Sequence, residues 1–339
     1  MTIAMIMSRD RLEQEHAMLN RLTVGLINDG NRVLRVIPTS QSKDLPSYEK
    51  NISLANRICI PMPTPWTLKK NCKEDLVSKF EKSNVSTVVS FGKDAQKIAL
   101  DLSSTLDIKL LSEVISMKDA LRTKSSSPIW RWLATTPSFE QAISKRVGSD
   151  RVSLVPLGVT SSKRVDDFEN TKRKCVCILD STGNIKNTRS ILEALSAIRE
   201  IHIFIELVGK KQHKVWRDVK DLKMLDRVTF LRDVGDLRSL ITQTNLVILP
   251  SKTMPLRTVL LESMQSGVPV VATNIDGFDM LVDEETSLIT VDDWESPVQK
   301  MINDRDFANS IGLAGASLIS KHYGSATQIA AFEAASSLI

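Results

Sequence analysis

Asn245–Ile289 reads NLVILPSKTMPLRTVLLESMQSGVPVVATNIDGFDMLVDEETSLI, and this stretch decides the fold. LVILP and VPVVAT are near-continuous apolar runs, the pattern of strands buried on both faces of a parallel sheet. Between them Val259–Ser266 has helical spacing. Strand, helix and strand in that order make the right-handed crossover from which doubly wound sheets are built.

Upstream, KCVCILD, IHIFIELVG and RVTFL are three more such runs, separated by helical segments at 187–199, 215–224 and 237–243. A last helical stretch is expected from about Asp306 to Leu338. The alternation also fills the first half. The run TIAMIM, a helical pattern over Arg11–Asp29 stopped at Gly30, and RVLRVIP form another strand, helix and strand. STVVSF, KLLSEVI, RWLATT and RVSLVPLGV continue the series to Val159. The polar stretch SSKRVDDFENTKRK carries almost no apolar pattern and reads as a linker. The expected organisation is a first Rossmann-like domain over 1–158, a linker over 159–174, a second domain over 175–305, and a C-terminal helical segment over 306–339 that crosses back to the first domain.

Bulk properties exclude several classes. A chain of 339 residues exceeds one ordinary core. Hydrophobic residues at 42% and charged residues at 25% are average for a soluble globular protein. The net charge of +5 is small and interspersed, so nucleic acid is not an expected partner. The apolar start meets Arg9 and Asp10 too soon for a signal peptide or a membrane span. The four cysteines, Cys59, Cys72, Cys175 and Cys177, are expected to be buried free thiols in a reducing, cytoplasmic setting, and the four His show no metal-ligand spacing. The proline-rich loop 61–70 with Trp66 either packs on its own domain or offers an aromatic and basic face to an acceptor or membrane surface. Trp130 and Trp132 belong to a strand entry, and the cations between Lys210 and Lys223 to a solvated helix face.

The quoted stretch resembles the retaining GT-B glycosyltransferases of the large family 4 group. The family's order is strand, Pro-Ser, loop, a helix ending Leu-Glu-x-Met-x-x-Gly, then Val-Pro-Val-Val-Ala-Thr and a glycine. Here these are Pro250, Ser251, Leu261, Glu262, Met264, Gly267, Val268–Thr273 and Gly277. The resemblance extends upstream through 227–250 and through ILEALSAI after Lys186. It implies an α/β GT-B fold, two doubly wound Rossmann-like domains facing a central cleft. It also implies transfer of a hexose from a nucleotide diphosphate sugar, with retention, to a saccharide or lipid-linked acceptor, with no cofactor and no metal.

The same resemblance implies the roles. Glu262 accepts hydrogen bonds from the ribose diol. Lys186 is the catalytic cation that neutralises the leaving diphosphate. Val234 offers a main-chain group to the base, and Thr258 and Val259 open the helix whose free N–H groups receive phosphate. Three positions depart from the pattern. Met254 stands where a second Glu approaches the donor sugar. Pro255, Leu256 and Arg257 replace Gly-Phe-Gly. Ser181 replaces the Arg five positions before Lys186, and Asp180 replaces a glycine. Arg257 is the expected substitute cation. No glycine occurs in SRDRLEQE after the first strand, and no catalytic base is apparent. These departures leave a second function open, a non-catalytic GT-B scaffold that binds a ligand or protein partner. A dehydrogenase is disfavoured because G-x-G-x-x-G is absent after the first strand.

Overall fold

TIAMIM is strand β1 (Thr2–Met7), buried at every residue but Thr2. Ser8 ends it and caps helix α1 (Arg9–Asn28), its Oγ accepting the Arg11 N–H at 3.3 Å. Gly30, at φ +84, turns the chain back into the sheet, a conformation that suits a residue with no Cβ. The computed structural model describes residues 1–39, 55–61, 70–160, 174–208, 211–232 and 234–337. Most of the expected linker and the Trp66 loop lie outside these residues.

The first unit comprises Met1–Gly158 and Ser325–Ile339. After α1 come β2 (Arg32–Thr39), β3 (Asn56–Pro61), α2 (Lys70–Lys82), β4 (Thr87–Phe91), α3 (Lys93–Ser103), β5 (Lys109–Val114), a short α4 (Met117–Ala120), β6 (Arg131–Ala134), α5 (Pro137–Val147) and β7 (Val152–Leu154). All strand pairs are parallel, in the order β3-β2-β1-β4-β5-β6-β7. The order reverses between β1 and β4, the mark of a doubly wound sheet.

The second unit, Val159–Gly324, repeats the plan. Its elements are β8 (Lys174–Ile178), α6 (Ile185–Ser196), β9 (Ile201–Glu206), α7 (Gln212–Asp221), β10 (Val228–Leu231), α8 (Val234–Ile241), β11 (Leu246–Leu249), α9 (Thr258–Gln265), β12 (Val270–Thr273), β13 (Leu288–Thr290), α10 (Glu295–Asn303) and α11 (Arg305–His322). The parallel order β10-β9-β8-β11-β12-β13 reverses between β8 and β11. Val176, Ile178, Ile203, Ile205, Leu246 and Ile248 contribute to one core with Ile191 and Leu195 of α6 and Trp294. Each fully buried aliphatic side chain there contributes about 1.5–3 kcal/mol.

The helical segment expected over 306–339 divides. The helix α11 stops at Tyr323, whose carbonyl accepts the Val159 N–H at 2.8 Å. A separate helix, α12 (Ser325–Ser337), then packs on α1 within the first unit. That contact is close enough that a Cβ on Gly25 would fall 2.2 Å from Ile329 Cδ1. The thiols also differ from expectation. Cys177 alone is buried, Cys72 and Cys175 are half-buried, and Cys59 is exposed on the edge strand β3. Strand β3 alternates, with Ile58 and Ile60 turned inward, so its odd-numbered neighbours face out. No helix among the described residues is long and apolar enough to cross a membrane.

Candidate functional site

In an open parallel sheet, the crevice outside the strand ends at the point of order reversal is where ligands bind. In the second unit that point lies beyond β8 and β11. Leaving β8, the chain puts Asp180 in the left-handed region at φ +49, a conformation that Asp tolerates better than most residues. Ser181 is fully buried, its Oγ donating to the Glu206 carbonyl at 2.5 Å. Thr182 donates to the Val208 carbonyl. Gly183 follows, so tightly placed that a Cβ there would fall 2.3 Å from Asp180 Oδ2 and 2.4 Å from Ser251 Oγ.

Helix α6 starts on the Asn184 cap, whose side chain accepts the Asn187 N–H at 3.1 Å. Asn187 Nδ2 in turn donates to the Pro250 carbonyl at 2.9 Å, tying the β8 and β11 loops together. Lys186 lies in the first turn of α6 and is exposed.

The other half of the crevice is α9 and its lead-in. Met254 is 2% exposed, so its thioether is part of the core. Arg257 is the N-cap residue of α9 and supplies no side-chain cap. Its guanidinium runs instead to Glu206 at the end of β9, Nη1 lying 2.7 and 2.9 Å from the two carboxylate oxygens. Both side chains are buried, at 4% and 5% exposure. The same carboxylate accepts the Asp180 N–H at 3.0 Å. Arg257 is therefore placed as expected at the helix start, but as one half of a buried ion pair rather than as an open cation.

Glu262, on α9, bonds through both carboxylate oxygens to Arg238 of α8. Arg238 Nη2 also donates to Thr258 Oγ1 at 2.5 Å. Thr258 and Val259 are fully buried in the first turn of α9, and Val234 is the first residue of α8. The structure thus gathers Ser181, Arg257 and Thr258 around Glu206 and Arg238, holds Glu262 to Arg238, and leaves Lys186 exposed. Burial is the main cause that lifts the Asp180 carboxyl above its ordinary range. Glu206 adds to this, while the Ser251 hydrogen bond and Arg257 oppose it. Burial also pushes the Cys177 thiol up, with Glu206 again adding.

Glu206 and Arg238 were not singled out from sequence. Glu206 had a signal: it is the one carboxylate inside the apolar run IHIFIELV, and a buried carboxylate must be paired. Arg238 had none, since an arginine on an amphipathic helix normally faces water. In the first unit the sequence reading also missed Arg11, which donates to both Glu113 oxygens at 2.8 Å and lies 3.3 Å from Glu15. All three side chains are nearly or fully buried at the start of α1.

The crevice lies inside a segment of known kind: residues 172–303 match the profile of the family described as glycosyl transferases group 1. That segment belongs to the glycosyl transferases group 1 family. The chain is 23% identical over 208 residues to a D-inositol 3-phosphate glycosyltransferase of Paenarthrobacter aurescens, covering 54% of this chain and 51% of that protein. The chain spans about half the length of the curated relatives it matches. Among solved structures it is similar to sucrose-phosphate synthase from Thermosynechococcus elongatus, with a TM-score of 0.78 at 15% identity over 98% of each chain. It is also similar to HepE of Anabaena in complex with UDP-glucose, with a TM-score of 0.78 at 14% identity over 100% of each chain. At such identities the likeness establishes the fold, two doubly wound parallel sheets of the GT-B kind.

Proposed function

We propose that this protein is a glycosyltransferase that takes a hexose from a nucleotide diphosphate sugar and passes it, with retention, to a saccharide or lipid-linked acceptor. Glu262 carries the reading. It lies within the matched segment, on the helix that opens at the order reversal of the sheet, and its carboxylate is oriented by Arg238. A carboxylate is an acceptor-only group with about four acceptor positions, the chemistry a ribose diol calls for.

The remaining roles follow the charge that develops. As the glycosyl bond breaks, the diphosphate gains negative charge, and catalysis needs donors aimed at it. Lys186 is the nearby exposed cation proposed for that task, and the first N–H groups of α9 at Thr258 and Val259 receive phosphate oxygens. The main chain at Val234 meets the base. Met254 gives the sugar an apolar neighbour where a carboxylate is customary, and Ser181 brings no charge. A retaining, same-face reaction lets the leaving phosphate accept the acceptor's proton, so no separate base is required. The reading includes no metal or cofactor, a cytoplasmic location, and peripheral contact with a membrane if the acceptor is lipid-linked.

The test is a thermal-shift panel of nucleotide diphosphates and their sugars on wild type and Glu262→Ala. A specific stabilisation that the variant loses supports the reading, and donor hydrolysis or transfer assays then identify the acceptor. Failure of every donor to shift a well-folded protein would move the assignment to a non-catalytic GT-B scaffold.

A further inference from the structure

We infer that the outward face of α7, in the second unit, is a docking surface for an anionic lipid bilayer. This gives the peripheral membrane contact of the reading above, on which its use in transfer rests, a place in the fold.

Positive charge is concentrated on this helix. Lys211, Lys214, Arg217, Lys220 and Lys223 recur at every third residue, whereas the whole chain of 339 residues carries a net charge of only +5. All five are exposed. On a helix of 3.6 residues per turn, steps of three carry Lys214, Arg217 and Lys220 across about 120° of one side. Val215 and Val219 are fully buried on the other side, in the core of the unit.

The acids of α7 are sorted away from that face. Asp218 is buried and lies 2.9 Å from Arg189 Nη1 of α6, and Asp221 Oδ2 lies 3.9 Å from the same nitrogen. Among the described residues, none of the five cations forms an ion pair with a carboxylate. Their charge is therefore directed to solvent and to whatever approaches from it.

An aromatic side chain stands beside the cations. Trp216 is 47% exposed, next to Lys220, whose Nζ lies 5.5 Å from the ring centroid. Leu225, just past the helix and followed by Asp226, is 49% exposed. An indole has an apolar body and a polar N–H, which suits the boundary between headgroups and acyl chains. This combination selects the partner. Single-stranded nucleic acid is held by a charged groove with several stacking platforms, whereas α7 offers one indole on a convex face. A bilayer needs neither groove nor register, only basic residues with an apolar tip among them.

Gln212 Nε2 donates to the Leu207 carbonyl at 3.2 Å, so α7 begins at the sheet end where the crevice lies. Because Val215 and Val219 keep the helix on its core, side chains alone reach the lipid. Binding is then reversible and largely electrostatic, each cation strengthening it about five-fold at an anionic surface.

The experiment is co-sedimentation of the full chain with vesicles of phosphatidylcholine alone or of equal parts phosphatidylcholine and phosphatidylglycerol. Wild type should bind the anionic vesicles and not the neutral ones, and should be released as salt rises. The triple variant Lys214→Gln/Arg217→Gln/Lys220→Gln changes only exposed side chains, should melt with wild type, and should bind on the order of a hundred-fold more weakly. Trp216→Ser should bind several-fold more weakly and lose most of the blue shift in tryptophan fluorescence that vesicles induce. A wild type that ignores anionic vesicles, or a folded triple variant that binds them equally well, overturns the proposal. So does tighter binding of polyglutamate or an oligonucleotide with the same triple-variant loss and no dependence on Trp216, which would give the face to an acidic macromolecule. The assay contains no nucleotide, so its failure leaves the donor reading untouched. Failure of the donor panel, with Glu262→Ala still sedimenting like wild type, would leave the docking face and remove the transfer it serves.

Discussion

Glu206→Ala is the substitution with the largest effect that the second unit's geometry supports. It strands the Arg257 guanidinium, now 4% exposed and without the carboxylate that accepts its Nη1, and it removes the acceptor of the Asp180 N–H. Removing one partner of a buried ion pair costs about 3–5 kcal/mol, because the other charge is left uncompensated. Loss of the backbone bond adds about 1 kcal/mol, and relief of the Asp180–Glu206 repulsion subtracts a similar amount. The net expectation is about 3–5 kcal/mol. Urea denaturation followed by tryptophan fluorescence checks it, since Trp294 is buried in the second unit. Asp75→Ala is the internal standard: its pair with Lys79 is 59% and 45% exposed, and its loss should cost less than about 0.5 kcal/mol. Glu206→Gln/Arg257→Gln should recover much of the Glu206→Ala loss. A Glu206→Ala protein within 1 kcal/mol of wild type would refute the claim that this pair is desolvated and mutually dependent.

Asp180 has a folded-state pKa above its ordinary value of 3.8. The folded protein therefore holds that proton more tightly than the unfolded chain, so the contribution to stability is present below about pH 3.8 and is lost as pH rises through the folded value. Asp180→Asn, which tolerates the same positive φ, should flatten the fall in melting temperature above pH 4, and an unchanged profile would remove Asp180 from the account. Two glycines separate rigid from yielding contacts: a Cβ on Gly312 would meet the Gly267 carbonyl oxygen at 2.1 Å, whereas one on Gly25 would meet the end of the Ile329 side chain. Gly312→Ala should cost about 1–3 kcal/mol by chemical denaturation and Gly25→Ala less, because a rotamer can shift where a backbone cannot.

The sheet and its crossovers were legible because parallel strands covered on both faces are written as uninterrupted apolar runs. LVIL and VVAT became β11 and β12, and TIAMIM became β1. The strands β3 and β13 were not legible. Strand β3 is an edge that alternates Ile58 and Ile60 with outward residues, and β13 is three residues long, too short for any period. The break at Tyr323 was hidden because helical spacing continues on both sides of it. The places of Glu262 and Thr258 on α9 were legible because a local motif fixes them. Their partners were not, because Arg238 and Glu206 reach the crevice through tertiary packing that no local pattern records.

Each unit holds an arginine in or just before the first turn of a helix, paired with a glutamate from a strand. In both, the positive end of the helix disfavours the cation and favours the carboxylate, by about 0.3–1 kcal/mol each, so neither arginine would sit there unpaired. The two differ in how much of the guanidinium is spent. Arg11 gives Nε and Nη2 to the two oxygens of Glu113 and sets Nη1 3.3 Å from Glu15. Arg257 gives Nη1 alone. Both guanidiniums therefore tie a helix start to a strand, Arg11 through two hydrogen bonds and an ion-pair contact and Arg257 through Nη1. Arg11→Met should destabilise the first unit by about 3–5 kcal/mol, as loss of a buried partner does. A loss below about 1 kcal/mol by urea denaturation would show that Arg11 and its two glutamates are not mutually dependent.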